Sequence, residues 1–225
     1  MRLVTWNAYR GPIASRLSRL SQLQPDLVVL QECSSPSLFD DAIWAGPRVR
    51  QGVAIAAANP AYRLTRVDDA TYDDGPGAIA RVDGPPPFLV AGVWTRKAKS
   101  RSYIAHALTW LEHHRRELVS LPLVVMGDFN ASPASPNQRK EHLEMLRRFR
   151  EQFGIVSAYH AFHGVEHGEE THPTHYWRRH EDEPWHIDFC FIPEEWVERL
   201  RSVEVGGYSD WADSDHRPVV VDLCL

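Results

Sequence analysis

With 225 residues, 43% hydrophobic and 24% charged, the chain has the composition of a globular protein able to bury a sizeable core, which excludes intrinsic disorder. A net charge of −5 provides no general basic field for a polyanion, although a local patch or a bound cation can reverse the field inside a cleft. Three cysteines, Cys33, Cys190 and Cys224, are too few and too odd in number for a disulfide framework. They read as small buried thiols and agree with a cytoplasmic location. The opening MRLVTWN alternates like a strand and lacks the apolar core of a signal peptide. No apolar run approaches the roughly 20 residues of a membrane span.

In chain order, strands are expected at Arg2–Asn7, Leu27–Glu32, Gly52–Ala58, Leu64–Val67, Ala78–Val82, Phe88–Trp94, Leu123–Asp128, Ile187–Ile192 and Pro218–Leu223. Most are bounded by Gly, Pro, Asp or Asn, which punctuate strands. Three helices interleave. Ile13, Leu17 and Leu20 predict one over Ile13–Gln22. Ile104, Leu108, Leu111 and Leu118 predict one over Tyr103–Leu118. Leu143, Leu146, Phe149 and Phe153 predict one over Lys140–Phe153. Mixed elements with strands in runs predict a layered α/β protein, two sheets packed face to face with helices outside. Asp83–Pro87 reads as a tight turn, and with no low-complexity linker the chain reads as one domain, 1–225.

Polar residues gather where the apolar strands end. RLVTWN ends at Asn7, LVVLQE at Glu32, and LVVMGDFN in Asp128 and Asn130. WHIDFCFI begins with Asp188, and SDHRPVVV sets Asp215 and His216 before the last strand. Strand ends and their loops are where sites are commonly built. A carboxylate closing a run as apolar as LVVLQ is expected to be mostly buried and to need a partner. The residue types suit phosphodiester hydrolysis. Carboxylates such as Glu32 and Asp215 hold a hard cation, which acts as a Lewis acid. A histidine beside a carboxylate exchanges protons near neutral pH, and an amide such as Asn130 donates to anionic oxygens without repelling them.

With these motifs the sequence resembles the endonuclease/exonuclease/phosphatase superfamily, which includes exonuclease III-type and deoxyribonuclease I-type nucleases, bacterial sphingomyelinases and inositol polyphosphate 5-phosphatases. The matching segments are TWN at 5–7, PDLVVLQE at 25–32, GDFN at 127–130, HID at 186–188 and SDHRPV at 214–219, in the family's order. The resemblance implies a four-layer α/β sandwich and a Mg²⁺ (or Mn²⁺) cofactor. It implies Glu32 as the principal metal ligand, with Asn7 beside it and Asp215 near the metal. It implies Asp128 as the residue that orients or deprotonates water, Asn130 and His216 on the scissile phosphate, and Asp188 as the partner of His216. Asn7, Asn130 and His216 are thus expected to touch substrate.

One position departs from the pattern. The strand Phe88–Trp94 resembles the family strand that often ends in a catalytic histidine, or a tyrosine in abasic-site enzymes. Here it ends in Trp94, whose indole has no titratable proton in this range. Metal-bound water or a loop histidine, with His106, His160 and His163 as candidates, is expected to serve the leaving group instead. The abasic-site signatures around this strand are absent, so a dedicated abasic-site endonuclease is not expected.

The stretch His160–His186 holds seven histidines and reads as a loop. Such spacings can bind zinc, but no cysteine pair or HExxH helix accompanies them. Tyr176, Trp177 and Trp185 offer stacking faces and Arg178 and Arg179 offer charge, so the stretch suits the mouth of a substrate site, with Trp177 the substrate-binding candidate. A plain solvated loop is the other reading. The function expected is a metal-dependent nuclease on DNA or RNA. The alternative is a phosphatase or phosphodiesterase for a small phosphoester: a phospholipid headgroup, an inositol phosphate or a nucleotide. A non-catalytic domain is disfavoured because none of Glu32, Asp128, Asp188 and His216 has been lost.

Overall fold

The structure, a computed structural model, describes residues 1–9, 13–34, 42–48, 51–68, 75–97 and 101–225, with only the backbone described for 13–17. The first sheet is formed by β1 (Arg2–Asn7), β2 (Leu27–Cys33), β3 (Ala42–Arg48), β4 (Gln51–Ala57), β13 (Leu200–Val205) and β14 (Val219–Leu223), in the order β13-β14-β1-β2-β4-β3. The second is formed by β5 (Arg63–Arg66), β6 (Gly77–Asp83), β7 (Phe88–Trp94), β8 (Leu123–Asp128), β9 (Ile155–Ser157) and β12 (Asp188–Pro193), in the order β5-β6-β7-β8-β12-β9. A two-stranded ribbon, β10 (His175–Tyr176) with β11 (Pro184–Trp185), stands apart from both. The helices are α1 (Ile13–Gln22), α2 (Tyr103–His113), α3 (Arg115–Leu118), α4 (Pro136–Arg148) and α5 (Ala158–His163).

The layering follows from which faces are apolar. One core, with Leu3, Leu27, Val29, Val53, Ile55, Val90, Val124, Met126 and Val221, fills the space between the sheets. Burying each such side chain contributes roughly 1.5–3 kcal/mol. A second core joins the outer face of β7, β8 and β12 to α2 and α4 through Leu89, Val125, Leu111, Trp110, Met145 and Phe149. A third packs Leu20 of α1 and Trp211 against Trp6 and Val28. Gly92 permits the close approach of the sheets, since a Cβ there would stand 2.8 Å from Val29 and 2.9 Å from Val53.

Sheet pairing positions the site. β1 and β2 are parallel, joined through α1, and β7 and β8 are parallel, joined through α2 and α3. Each pair is flanked by an antiparallel partner that starts where they end: β14 beside β1, and β12 beside β8 with Asp188 opposite Asp128. Five chain segments therefore reach the same end of the sandwich.

Several expectations are corrected. The helix expected over Tyr103–Leu118 breaks at His114 into two, and the third starts earlier, at Pro136, and ends in a wider turn over Phe149–Phe153. β3, β9 and β13 had no strand reading. β3 contains Gly46 and Pro47, and β13 has a mixed, exposed pattern that only pairing with β14 makes a strand. The stretch read as a loop carries α5 and the ribbon. Cys33 and Cys190 are buried, but Cys224 lies past the end of β14 and is exposed; all three are free. Ile13 and Leu17, expected on the buried face of α1, have side chains outside the described residues. Among the described residues no helix is long and apolar enough to cross a membrane.

Candidate active site

Asn7 ends β1 fully buried, and its amide nitrogen donates to Asp128 Oδ2 at 2.9 Å and to Glu32 Oε1 at 3.4 Å. Its side-chain oxygen accepts from the Tyr9 amide at 3.1 Å, which settles which end of the amide faces the carboxylates. Glu32 is half-buried, not mostly buried as expected. The register of β2 against β4 shifts between Leu30 and Cys33, and Glu32 takes φ +52° there. The irregularity re-aims the carboxylate from the core to the strand end, as bulges beside sites do. Gln51 donates to its other oxygen at 3.1 Å.

Asp128 ends β8 and is buried. The preceding Gly127 has φ +148°, and a Cβ would meet the Val93 carbonyl oxygen at 1.9 Å, so the turn into Asp128 requires glycine. Asn130, with φ +49°, donates its backbone N–H to Asp128 Oδ1 (2.8 Å) and its amide to Oδ2 (2.9 Å) and to the Thr95 carbonyl (3.1 Å). Burial, reinforced by the charge of Asp188 and opposed by His216, pushes the Asp128 carboxyl up to about 7.

Asp188 is fully buried at the start of β12 and holds His216 Nδ1 at 2.9 Å through Oδ2. His216 Nε2 lies 3.9 Å from Asp128 Oδ2. Burial alone would lower the imidazole pKa, but the charges of Asp188, Asp128 and Asp215 push it up to about 9. His216 therefore sits as a cation between two buried carboxylates. Asp215 is half-buried with Oδ1 unpartnered among the described residues. Burial raises its pKa, His216 opposes, and the charge of Glu32 adds to the rise.

The structure thus brings together all seven residues singled out in the sequence. Trp177 stands further out, 52% exposed, with Arg178 over its ring at 5.8 Å. It lines a cleft of about 670 Å³ together with Asn130, His175, Trp185, Tyr103 and Gln138. Trp94 is 6% exposed, packed in the inter-sheet core opposite Asp128. The three loop-histidine candidates are elsewhere: His106 is buried on α2, His160 pairs with Glu170, and His163 bonds the Val203 carbonyl. The histidine beside the site is His175, its ring 4.5 Å from that of His216 and its Nε2 3.9 Å from Asp215. Burial and the neighbouring His216 lower its pKa to about 3, so it is neutral.

Sequence reasoning missed the residues that hold this geometry. Arg217 is buried and donates to the carbonyls of Trp211, Ser214 and His216 while stacking on Tyr176 and Tyr208. Ser214 donates to the Asn7 carbonyl at 2.8 Å and accepts from the His216 amide at 3.0 Å. Both stand in the SDHRPV motif, where the only signal was adjacency. Thr174 Oγ1 accepts the amides of Ile187 and Asp188 at 3.0 Å each, and nothing in its local sequence marks it.

The Endonuclease/Exonuclease/phosphatase family model matches residues 4–216, a span that contains all seven residues gathered at this end of the sandwich. The chain belongs to this family. That family is one of hydrolases, nucleases and phosphatases, and this member has its two six-stranded mixed sheets flanked by helices. Among solved structures, a 3′-5′ exonuclease (NExo) from Neisseria meningitidis is 20% identical with TM-score 0.69 and full coverage of both chains. The endonuclease domain of TRAS1, a telomere-specific non-LTR retrotransposon, is 15% identical with TM-score 0.74, covering 100% of this chain and 98% of that one. An AP endonuclease from Archaeoglobus fulgidus is 21% identical with TM-score 0.68 and full coverage of both chains. These likenesses concern the fold. No curated protein matches the chain.

Proposed function

We propose that residues 1–225 form one catalytic domain, a cytoplasmic, divalent-metal-dependent phosphodiester hydrolase acting on DNA or RNA. The observation that carries the proposal is the seven-residue constellation at one end of the sandwich, with His216 held 2.9 Å from Asp188 and 3.9 Å from Asp128.

The donor set fits a hard cation. Glu32 is turned out of the core, Asp215 has an oxygen unpartnered among the described residues, and burial together with the charge of Glu32 raises the pKa of Asp215, a repulsion that a cation would relieve. Glu32 and Asp215 would hold Mg²⁺ or Mn²⁺, which would supply Lewis-acid stabilisation of the phosphoryl oxygens and of the leaving oxygen, whereas Asn7, expected beside Glu32 as a ligand, turns its amide N–H groups to the carboxylates and orients them instead. Asp128, with a pKa of about 7, takes a proton from the attacking water, and Asn7 and Asn130 orient its carboxylate for this. Asn130 and His216 bind the scissile phosphate. Asp188 accepts the Nδ1–H of the protonated His216 ring, so that its Nε2–H faces the reacting centre. Trp177 and Trp185 offer stacking faces for bases in the cleft, and the similar solved structure of NExo from Neisseria bound to a product DNA hairpin supports a nucleic-acid substrate.

A second reading, a phosphatase or phosphodiesterase for a smaller substrate, is favoured by one observation. Asp182 and Glu183 line the same cleft and would repel a long polyanion. The test is an activity panel with Mg²⁺ and with Mn²⁺ on plasmid DNA, single-stranded DNA, RNA, bis-p-nitrophenyl phosphate, p-nitrophenyl phosphate, sphingomyelin and inositol phosphates. Turnover of nucleic acid that disappears in His216→Ala supports the first reading. Turnover confined to the small esters replaces it by the second, and a panel silent with both metals overturns both.

A further inference from the structure

The histidines of the 160–186 stretch are not scattered over a solvated loop. His160, His167 and Glu170 each place a ligand atom within 4.8 Å of the others. His160 Nε2 is 2.9 Å from Glu170 Oε1, and its Nδ1 is 2.7 Å from Ser157 Oγ. The rings of His160 and His167 stack at 3.4 Å, and His142 of α4, fully buried, lies 5.5 Å from His167 between ring centroids. His186 closes the group, 6.0 Å from His160.

The polar accounting of this cluster does not close. Neither ring nitrogen of His142 has a hydrogen-bond partner among the described residues, although both are buried, and His167 Nδ1 is in the same position. His186 is more specific. Its Nδ1 lies 2.8 Å from the His172 carbonyl oxygen, which can only accept, so Nδ1 carries the proton. That leaves a lone pair on Nε2, which is buried without a partner among the described residues. An imidazole tied to a carbonyl through one nitrogen, with the other left without a partner beside further imidazoles, is the arrangement in which proteins orient histidine for a metal. Buried polar groups are otherwise almost always satisfied.

We propose that His160, His167 and Glu170, completed by His142 and His186, form a structural zinc site separate from the catalytic centre. Nitrogen donors with one carboxylate suit zinc and not Mg²⁺ or Ca²⁺, which take oxygen shells. Zinc–nitrogen bonds are about 2.0–2.1 Å, so binding would replace the His160–Glu170 hydrogen bond and turn the stacked His160 and His167 rings toward one ion. Burial lowers His142 and His186 to about 4, which keeps their lone pairs available at neutral pH. A cleft of about 250 Å³ bordered by Glu170, His186 and Trp185 provides the way in. The ion ties α4, α5 and the 164–174 loop to His186, two residues before Asp188, and so fixes the segment that positions His216.

The test is metal analysis of protein purified without chelator, in a Glu32→Gln background that weakens the catalytic metal site, with the cluster substitutions telling the two sites apart. About one zinc per chain is expected after dialysis, with Co²⁺ substitution giving the visible absorption of a four- or five-coordinate site. His167→Ala and Glu170→Gln are expected to lose both signals, with circular dichroism reporting whether each remains folded. The cobalt spectrum needs no variant at the cluster, so misfolding of either substitution does not rescue the idea. Absence of both zinc and a cobalt band from folded protein overturns the proposal, as does zinc that survives both substitutions in folded protein. None of these readouts depends on catalytic activity.

Discussion

Replacing Asp188 by Asn tests the electrostatics of the site most directly. In the native protein Asp188 Oδ2 accepts from His216 Nδ1 at 2.9 Å, and His216 is pushed from an ordinary value of 6.5 up to about 9 although burial acts the other way. Each tenfold gain in proton affinity is about 1.4 kcal/mol, so the surrounding carboxylates favour the imidazolium by on the order of 3 kcal/mol net of burial. Asparagine keeps the shape and loses the charge. Burial and the weaker pull of Asp128 and Asp215 then remain, and the His216 pKa is expected to fall to about 6.5 or lower. At pH 7.5 the protonated fraction drops from nearly all to roughly a tenth. The sign for stability follows. A histidine whose folded pKa is raised contributes stability that is full below about 6.5 and is lost as pH rises through about 9, so native protein exceeds the variant most at the acid end of that window. The assay is an NMR titration of the His216 ring in metal-free native and Asp188→Asn protein, with turnover measured alongside. Equal pKa values in the two proteins would refute the electrostatic argument, whatever happens to turnover.

The other predictions concern metal, substrate, proton and leaving group. Glu32→Gln should weaken Mg²⁺ binding, measured by calorimetry, and abolish turnover without moving the circular-dichroism melt; full activity at limiting Mg²⁺ would remove Glu32 from the metal. Trp177→Ala should raise KM for single-stranded nucleic acid by roughly 5- to 150-fold, since base stacking is worth about 1–3 kcal/mol, and leave bis-p-nitrophenyl phosphate turnover unchanged. Burial holds the Asp128 pKa at about 7, so ionising it opposes folding between about pH 4 and 7. The stability of metal-free Asp128→Asn relative to native should therefore improve as pH rises across that range, and a difference flat with pH in denaturant titrations would contradict the burial argument. Trp94 offers no proton and His175 is neutral, so turnover of a phosphodiester series should depend steeply on leaving-group pKa, in native protein and in His175→Ala alike. A flat series in both proteins would mean that a different side chain protonates the leaving oxygen.

Much of the site was legible in one dimension because strand ends are marked locally. An apolar run followed by a polar residue and a turn signal is a short-range pattern, and it located Asn7, Glu32, Asp128, Asn130, Asp188, Asp215 and His216, while resemblance supplied their roles. The alternation of strands and amphipathic helices likewise determined the α/β class. What the chain alone left open depends on neighbours distant in sequence. β13 becomes a strand only beside β14, and Glu32 leaves the core only because β2 slips against β4. Arg217 matters through carbonyls and rings brought to it by folding, and Thr174 through amides 13 and 14 residues away. The histidine stretch looked like a polar loop because histidine is ambiguous in a hydropathy pattern. Only the packing of α4 and α5 against it buried His142, His160 and His186 and brought half-buried His167 and Glu170 beside them. Local pattern chooses the elements and their ends, whereas protonation, burial and ligand sets are decided by which ends meet, since desolvation and Coulomb interaction act through space and not along the chain.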